Sequence, residues 1–175
     1  MVMGQMATTL SVYTVDHIGF STREYGMLLT LNGLLVILFQ YPTTRLWSPA
    51  PKTVSLVVGS LLYWIGYGSF GWDASFGFAL VSKTVVTIGE MTFSPTAQAV
   101  AGELAPGDWR GRYMGFYTLG ETFGMSVGPL MGGLLLDALG GQPWLMWASI
   151  SSVALVAAVG FYYWGRANAP RTRPP

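Results

Sequence analysis

The sequence predicts an all-α membrane protein made of six helical segments. Hydrophobic residues make up 51% of its 175 residues and charged residues only 10%, whereas soluble domains carry about 25% charged residues. Five stretches contain the roughly 20 mostly apolar residues that are needed to cross about 30 Å of hydrocarbon. Because a backbone in lipid must satisfy its hydrogen bonds internally, we expect these stretches to be helices and not strands.

The predicted segments follow one another with short connections. The first segment, at about residues 1–15, is too short for a full span and is expected to be a truncated helix. Five spans are predicted at about 25–43, 53–71, 74–102, 112–137 and 143–165, and residues 166–175 form a tail. The connections are rich in Gly, Pro, Ser and Asp and leave no room for a soluble domain. Residues 1–165 are therefore predicted to form one transmembrane bundle.

Glycine and proline interrupt the fourth and fifth segments. Pro95 and Pro129 each remove a backbone hydrogen bond and are expected to kink their helices, as a packing feature or as a gating hinge. Four glycines of the fifth segment recur at every fourth residue, which places them on one stripe where another helix can approach closely. The positions predicted to serve helix packing and gating are Gly120, Gly124, Gly128, Pro129 and Gly132.

Positive charge is concentrated on one side of the predicted bundle. If the spans alternate in direction, seven basic residues fall on that side, namely Arg45, Lys52, Arg110, Arg112, Arg166, Arg171 and Arg173. The opposite loops hold Arg23 alone. Since cytoplasmic loops carry the excess of Lys and Arg, we expect a multi-pass protein of the bacterial inner membrane with a cytoplasmic C-terminus.

Several functional classes are excluded by composition and context. The chain has no cysteine, so it has no disulfide or thiolate metal site, and its single histidine, His17, cannot build a histidine metal site by itself. The net charge of +1 gives no indication of a nucleic-acid partner. The G-x-S-x-G pattern at 124–128 and the G-x-G-x-x-G pattern at 66–71 both lie in membrane segments without the strand that such motifs require. We therefore expect no cofactor, no metal and no enzymatic activity.

Three ionisable residues lie inside the predicted spans: Lys83 and Glu90 in the fourth segment and Glu121 in the fifth segment. A charge at the bilayer centre costs at least about 2.5–3.5 kcal/mol, so such residues usually face a cavity or a partner. Glu90 and Glu121 are predicted to bind protons or a cationic substrate, with structural hydrogen bonding as the alternative. Lys83 is predicted to take part in that site, to pair structurally, or to snorkel to the outer interface.

Polar and aromatic residues lie on the first, second, fourth and fifth segments. We therefore expect these helices to surround a transport pathway. Asn and Gln in a span also hold helices together, so each of them alone is compatible with a structural role. Tyr side chains offer apolar and cation–π contacts to a substrate. The predicted set for substrate or proton binding is Glu90, Glu121, Lys83, Tyr13, Asn32 and Tyr117.

One block of sequence resembles a known family. Residues 87–137 read TIGEMTFSPTAQAVAGELAPGDWRGRYMGFYTLGETFGMSVGPLMGGLLLD, and this block resembles the C-terminal half of a major facilitator superfamily transporter of the drug:proton antiporter type. The glycine-proline run at 124–133 is similar to the antiporter motif of the family's fifth helix, and residues 19–42 look like its outer loop and helix 8. The loop at 43–53, TTRLWSPAPKT, departs from the family because it lacks the Gly-x-x-x-Asp-Arg pattern.

The resemblance implies a fold and a function. The six segments would be helices 7 to 12, a six-helix half of the family's fold with its first helix truncated, and helices 7, 8, 10 and 11 would border a central cavity. The implied function is transport of a small molecule, as proton-coupled efflux by alternating access. The implied partners are the lipid bilayer, the substrate, protons and an N-terminal six-helix half. A non-transporting membrane fragment and a homodimeric half-transporter are the alternatives.

Overall fold

The computed structural model describes residues 3–6 and 8–168, and those residues form helices and turns without a strand. The first segment consists of a 3-10 turn at Met3–Met6, a short helix α1 at Thr9–Val12 and a π-helical turn at Tyr13–Ile18. Five long helices follow: α2 Thr22–Trp47, α3 Lys52–Ser69, α4 Phe76–Glu103, α5 Arg110–Leu139 and α6 Pro143–Ala167. The predicted basic residues Arg171 and Arg173 lie outside the described residues.

Four helical stretches among the described residues are long and apolar enough to cross a membrane. They are Thr22–Trp47, Phe76–Glu103, Gly107–Leu139 and Pro143–Ala167. Helix α3 is shorter, with 18 residues, and at 1.5 Å per residue it is about 27 Å long. Each helix contains the corresponding predicted span or overlaps most of it.

The entry into α2 shows how local sequence sets a helix boundary. Gly19 has φ of 88°, a left-handed conformation that ends the first segment and suits glycine. Ser21 then accepts a hydrogen bond from the Glu24 backbone N–H at 3.2 Å, and the Glu24 carboxylate accepts one from the Ser21 N–H at 2.8 Å. This capping box satisfies two backbone donors at the start of α2.

Helix α3 packs along both α4 and α6, and this packing forms the core of the described residues. The aromatic centre of the core is Trp147, which is fully buried, with the Tyr67 and Phe70 ring centroids 6.1 and 5.5 Å from its own. Helix α2 packs mainly on α4. Helix α5 has fewer contacts with α4 and α6, which leaves space between it and the core.

The first segment packs against α5 at part of the predicted glycine stripe. The Gln5 side-chain amide donates to the Gly128 carbonyl at 2.6 Å, and a Cβ built on Gly132 would collide with the side chains of Gln5 and Thr9. Gly124 is half-buried, whereas a Cβ built on Gly120 would have no neighbour within 4 Å. The close approach therefore occurs at the 128–132 end of the stripe.

A side-chain amide of α2 supplies the hydrogen bond that the proline in α4 cannot donate. Pro95 cannot donate to the carbonyl of Met91, four residues earlier. The Gln40 side-chain amide donates to that carbonyl at 3.3 Å. A neighbouring helix thus satisfies the group that the proline leaves free, as tolerance of proline in a membrane helix requires.

Candidate functional site

A polar cluster joins α2 to α4 inside the membrane-spanning region. The Asn32 side-chain amide donates to the Thr87 hydroxyl at 2.9 Å and to the Glu90 carboxylate at 3.2 Å. Thr87 is fully buried, Asn32 is buried and Glu90 is half-buried. Because an Asn amide carries two donor protons, both are used here, one on each partner. The cluster therefore joins the Glu90 carboxylate of α4 to the Asn32 amide of α2 by a hydrogen bond.

Lys83 lies on the same face of α4 as the cluster and is fully buried. Its backbone carbonyl accepts a bond from the Thr87 hydroxyl at 2.9 Å. Glu90 is two turns further along α4, about 10 Å along the helix axis, and within electrostatic range of the Lys83 amine. The complete burial of Lys83 favours a role within the bundle over snorkelling to the outer interface.

A cavity of about 570 Å³ separates α5 from the core helices α3, α4 and α6. This volume is in the range of small-molecule binding sites, about 300–1,000 Å³. Most of the wall is apolar or aromatic, and its largest side chains are Tyr63, Phe93, Tyr113, Phe116, Tyr117 and Met125. Glu121 contributes a carboxylate to this wall. Gly120 also lines the cavity, and a Cβ built on it would have no neighbour within 4 Å. Such a wall suits an apolar molecule that carries a positive group, which aromatic faces and a carboxylate both attract.

The predicted residues fall in three places. Asn32, Lys83 and Glu90 belong to the cluster between α2 and α4, and Tyr117 and Glu121 line the cavity. Glu90 does not line the cavity, but Phe93 and Ser94, one turn further along α4, do.

Tyr13 lies apart from both groups, in the aromatic core. It is 3% exposed, its hydroxyl donates to the Phe70 carbonyl at 3.4 Å, and its ring meets Trp147 edge-on with centroids 5.3 Å apart. The structure thus places Tyr13 where it packs helices together.

Sequence reasoning missed Thr87 and most of the cavity wall. Thr87 could have been found, because it is four residues from Lys83 and three from Glu90 and so shares their helix face. The cavity aromatics Tyr63, Phe93 and Phe116 carry no such signal, because an aromatic residue in an apolar helix fits lipid equally well. In the described part of the chain, no group of His, Asp or Glu is arranged to hold a metal ion.

Comparisons with known proteins give the family. The sequence profile of the Major Facilitator Superfamily matches residues 1–175. The uncharacterized MFS-type transporter YttB of Bacillus subtilis (strain 168) is 33% identical over 139 residues, which are 78% of this chain and 34% of that protein. The multidrug resistance protein MdtH of Aeromonas hydrophila is 29% identical over 81% of this chain and 36% of its own length. The fosmidomycin resistance protein of Escherichia coli (strain K12) is 26% identical over 88% of this chain and 39% of its own length.

Solved structures show the same fold. A POT family transporter, crystallised in complex with 5-aminolevulinic acid, superimposes with a TM-score of 0.79 over 95% of this chain and 38% of that one, at 19% identity. This chain spans a little over a third of the length of the relatives it matches. Its profile match, its relatives and its helical architecture agree, and the chain belongs to the major facilitator superfamily of integral membrane proteins.

Proposed function

We propose that this chain is the C-terminal half of a transporter that exports a small molecule in exchange for protons, by alternating access. The observation that carries the proposal is the Glu90 carboxylate, which lies within a membrane-spanning helix and accepts a bond from Asn32 of another helix. A carboxylate in this position is costly to insert and is therefore a functional candidate by default. Since the ionised form accepts hydrogen bonds and the protonated form also donates one, proton uptake changes the contact between α2 and α4.

The cavity beside α5 is the proposed substrate site. Its aromatic and apolar wall with one carboxylate supports an apolar or amphipathic substrate, and a positive group on that substrate would pair with Glu121. The names of the multidrug resistance and fosmidomycin resistance relatives support export as the direction. The glycine and proline positions of α5 are proposed to set how this helix packs and bends as the site opens and closes.

The proposed topology follows from charge. Arg45 lies in the last turn of α2 and Lys52 begins α3, Arg110 and Arg112 lie at the start of α5, and Arg166 lies at the end of α6. We assign these ends to the cytoplasm, because cytoplasmic loops carry the excess of basic residues. The substrate pathway would be completed by a second six-helix half, against which this half rocks.

Carboxylate-to-amide variants of the native polypeptide test the proposal. In inverted membrane vesicles, Glu90→Gln is expected to abolish substrate uptake that is driven by a pH gradient. The exchange of substrate across the membrane in the absence of a gradient is expected to be unchanged. Glu121→Gln is expected to raise the KM of a cationic substrate at least tenfold, which corresponds to about 1.4 kcal/mol. Glu103→Gln is the matched control, because Glu103 pairs with Lys52 at the exposed ends of their helices. If both membrane variants keep normal transport and normal pH dependence, the proton-site hypothesis is wrong.

There are two alternatives to the proposed transporter half. They are a non-transporting membrane fragment and a homodimeric half-transporter. An immunoblot of native membranes separates them. A band well above the mass of the 175-residue chain supports the transporter half. A band at the mass of the chain alone contradicts it, and reconstituted transport by that chain would then distinguish a working homodimer from an inactive fragment.

A further inference from the structure

A second cavity, of about 220 Å³, lies between the end of α2, the start of α3 and the second half of α4. This volume is smaller than that of sites for drug-sized ligands, which is about 300–1,000 Å³, so the cavity suits a small polar group. Lys52 contributes a positive charge to its wall. The hydroxyl-bearing residues of the wall are Thr44, Ser48, Ser55, Thr92 and Thr96.

The Ser55 hydroxyl is a free hydrogen-bonding group in this wall. The hydroxyls of Thr44, Thr92 and Thr96 each donate to a carbonyl of their own helix at 2.9 Å. Ser55 is 2% exposed and lines the cavity, and none of the described residues forms a hydrogen bond with its hydroxyl. Because a buried hydroxyl without a partner is costly, we expect Ser55 to donate to a group inside the cavity.

The start of α3 adds backbone donors at the same place. Pro51 is the N-cap residue, and its carbonyl accepts bonds from the N–H groups of Val54 and Ser55 at 2.9 and 3.3 Å. The N–H groups of Lys52 and Thr53, the first two of the helix, have no acceptor within α3, and no side chain caps them. Such a helix N-terminus carries a partial positive charge and attracts anions. Ser55 follows Lys52 by three residues, so both lie on one face of α3.

The Lys52 amine lies at the exposed rim of the cavity. It pairs with the Glu103 carboxylate of α4, and both side chains are well exposed. An ammonium group has three donor protons, so a pair with one carboxylate leaves donors for an anion. The Glu103 carboxylate would compete with that anion for the amine.

The surroundings of the cavity suit a lipid headgroup. Trp47 lines the cavity and is the last residue of α2, and tryptophan is enriched at membrane–water interfaces. Tyr41 precedes the wall residue Thr44 by three residues on the same face of α2 and is 74% exposed, so apolar surface for an acyl chain adjoins the cavity. Basic pockets between the ends of membrane helices bind the headgroups of anionic lipids.

We propose that this cavity binds a phosphate group, carried by the headgroup of an anionic phospholipid or present as free phosphate. The Lys52 amine balances its charge, and the Ser55 hydroxyl and the first N–H groups of α3 donate to its oxygen atoms. The site is independent of the proposed proton exchange at Glu90, and its test measures binding and not transport.

Lipid binding by the native polypeptide, purified in a neutral detergent, tests the site. Native mass spectrometry during a titration with phosphatidylglycerol gives the Kd, with phosphatidylcholine as the reference lipid. Lys52→Gln is expected to raise the Kd for phosphatidylglycerol at least tenfold, and Ser55→Ala at least threefold. Glu103→Gln is expected to lower it at least twofold, because the carboxylate no longer competes for the amine. Arg166→Gln is the matched control, because this basic residue ends α6 beside Tyr162 and not at the cavity, and its Kd should change less than twofold.

A variant that fills the cavity separates it from the charge at its rim. Ala99 lines the cavity and is exposed, so Ala99→Phe adds a large side chain there without a change of charge. This variant is expected to raise the Kd for phosphatidylglycerol at least fivefold.

Inorganic phosphate identifies the source of the group. Displacement of phosphatidylglycerol by millimolar phosphate from the parent protein, but not from Lys52→Gln, would show that free phosphate occupies the same site. Without displacement, the site is specific for the lipid headgroup. The proposal is wrong if Lys52→Gln binds phosphatidylglycerol as tightly as the parent. It is also wrong if Ser55→Ala and Ala99→Phe both bind it normally, because the attraction would then be an effect of surface charge alone.

Discussion

Gly66 lies where α3 and α4 approach each other closely. A Cβ built on it would lie 2.8 Å from the backbone nitrogen of Val86 and 2.7 Å from a methyl group of its side chain. Glycine in a helix costs about 1 kcal/mol relative to alanine in water, and here the close contact of two helices offsets that cost. Val86 precedes Thr87 in α4, so this contact also helps to position the polar cluster on that helix.

Gly66→Ala is expected to lower the stability of the protein. The backbone of Val86 cannot move aside cheaply, and overpacking of this kind costs about 1–3 kcal/mol. Thermal unfolding in detergent, followed by circular dichroism, measures the change. The control is Gly160→Ala in α6, where a Cβ would have no neighbour within 4 Å, and this variant should be at least as stable as the parent. Equal melting temperatures for the two variants would contradict the close contact at Gly66.

Residue types alone predicted part of the candidate site. Glu90, Glu121 and Lys83 were found because a charge in an apolar span is costly wherever it points. Tyr13 was placed in the binding set on residue type, yet its ring packs against Trp147 in the core. A tyrosine is compatible with a core, an interface or a binding wall, so its role depends on contacts that its own position in the sequence does not specify.

At the scale of helices, the proposed function depends mainly on the connection between α2 and α4. Two amides of α2, Asn32 and Gln40, are eight residues apart. Asn32 donates to Thr87 and Glu90 of α4, and Gln40 donates to the Met91 carbonyl of α4. The Gln40 bond satisfies the carbonyl that Pro95 leaves free. The part of α4 that Pro95 interrupts is thus bonded to α2, and under the proposed function a change at Glu90 would act on the same helix pair.

A double-mutant cycle tests this coupling. Gln40→Leu is expected to destabilise the protein by about 1–3 kcal/mol, because the Met91 carbonyl then has no donor inside the membrane. In a Pro95→Ala background the helix supplies its own N–H to that carbonyl, so the same Gln40→Leu change should cost much less. Unfolding of the four variants in detergent gives the coupling energy. Additive effects would show that Gln40 does not compensate for Pro95.

The positions of the helices were predictable from the sequence, but their exact ends and their packing partners were not. Length and apolar composition indicate where a span lies, and the predicted span at 25–43 lies within α2, which extends over Thr22–Trp47. The extra residues at its ends include the Ser21 and Glu24 cap and polar residues that hydropathy alone assigns to loops. The glycine stripe predicted a close approach to α5 but could not name the first segment as its partner, because helix pairing depends on contacts distant in sequence.

At the scale of the whole molecule, the described residues form one compact side and one open side. Helices α3, α4 and α6 pack together, while α2 and α5 expose large apolar side chains, among them Ile37, Tyr41, Phe116 and Phe123. Lipid is an expected neighbour of these surfaces, and under the proposed function a second six-helix half would cover part of them. The cavity beside α5 opens between the compact and the open side.

The central claim of the proposed function is that Glu90 takes up and releases the proton that is exchanged for the substrate. Infrared difference spectroscopy of the native polypeptide in lipid measures this directly, through the C=O stretch of a protonated carboxyl group. The account predicts a pH-dependent carboxyl band that disappears in Glu90→Gln. In Asn32→Ala this band is expected to shift in frequency, because the hydrogen bond from the Asn32 side chain to the carboxyl group is lost. A difference spectrum that Glu90→Gln leaves unchanged would contradict the claim, and Glu90 would then be a structural residue.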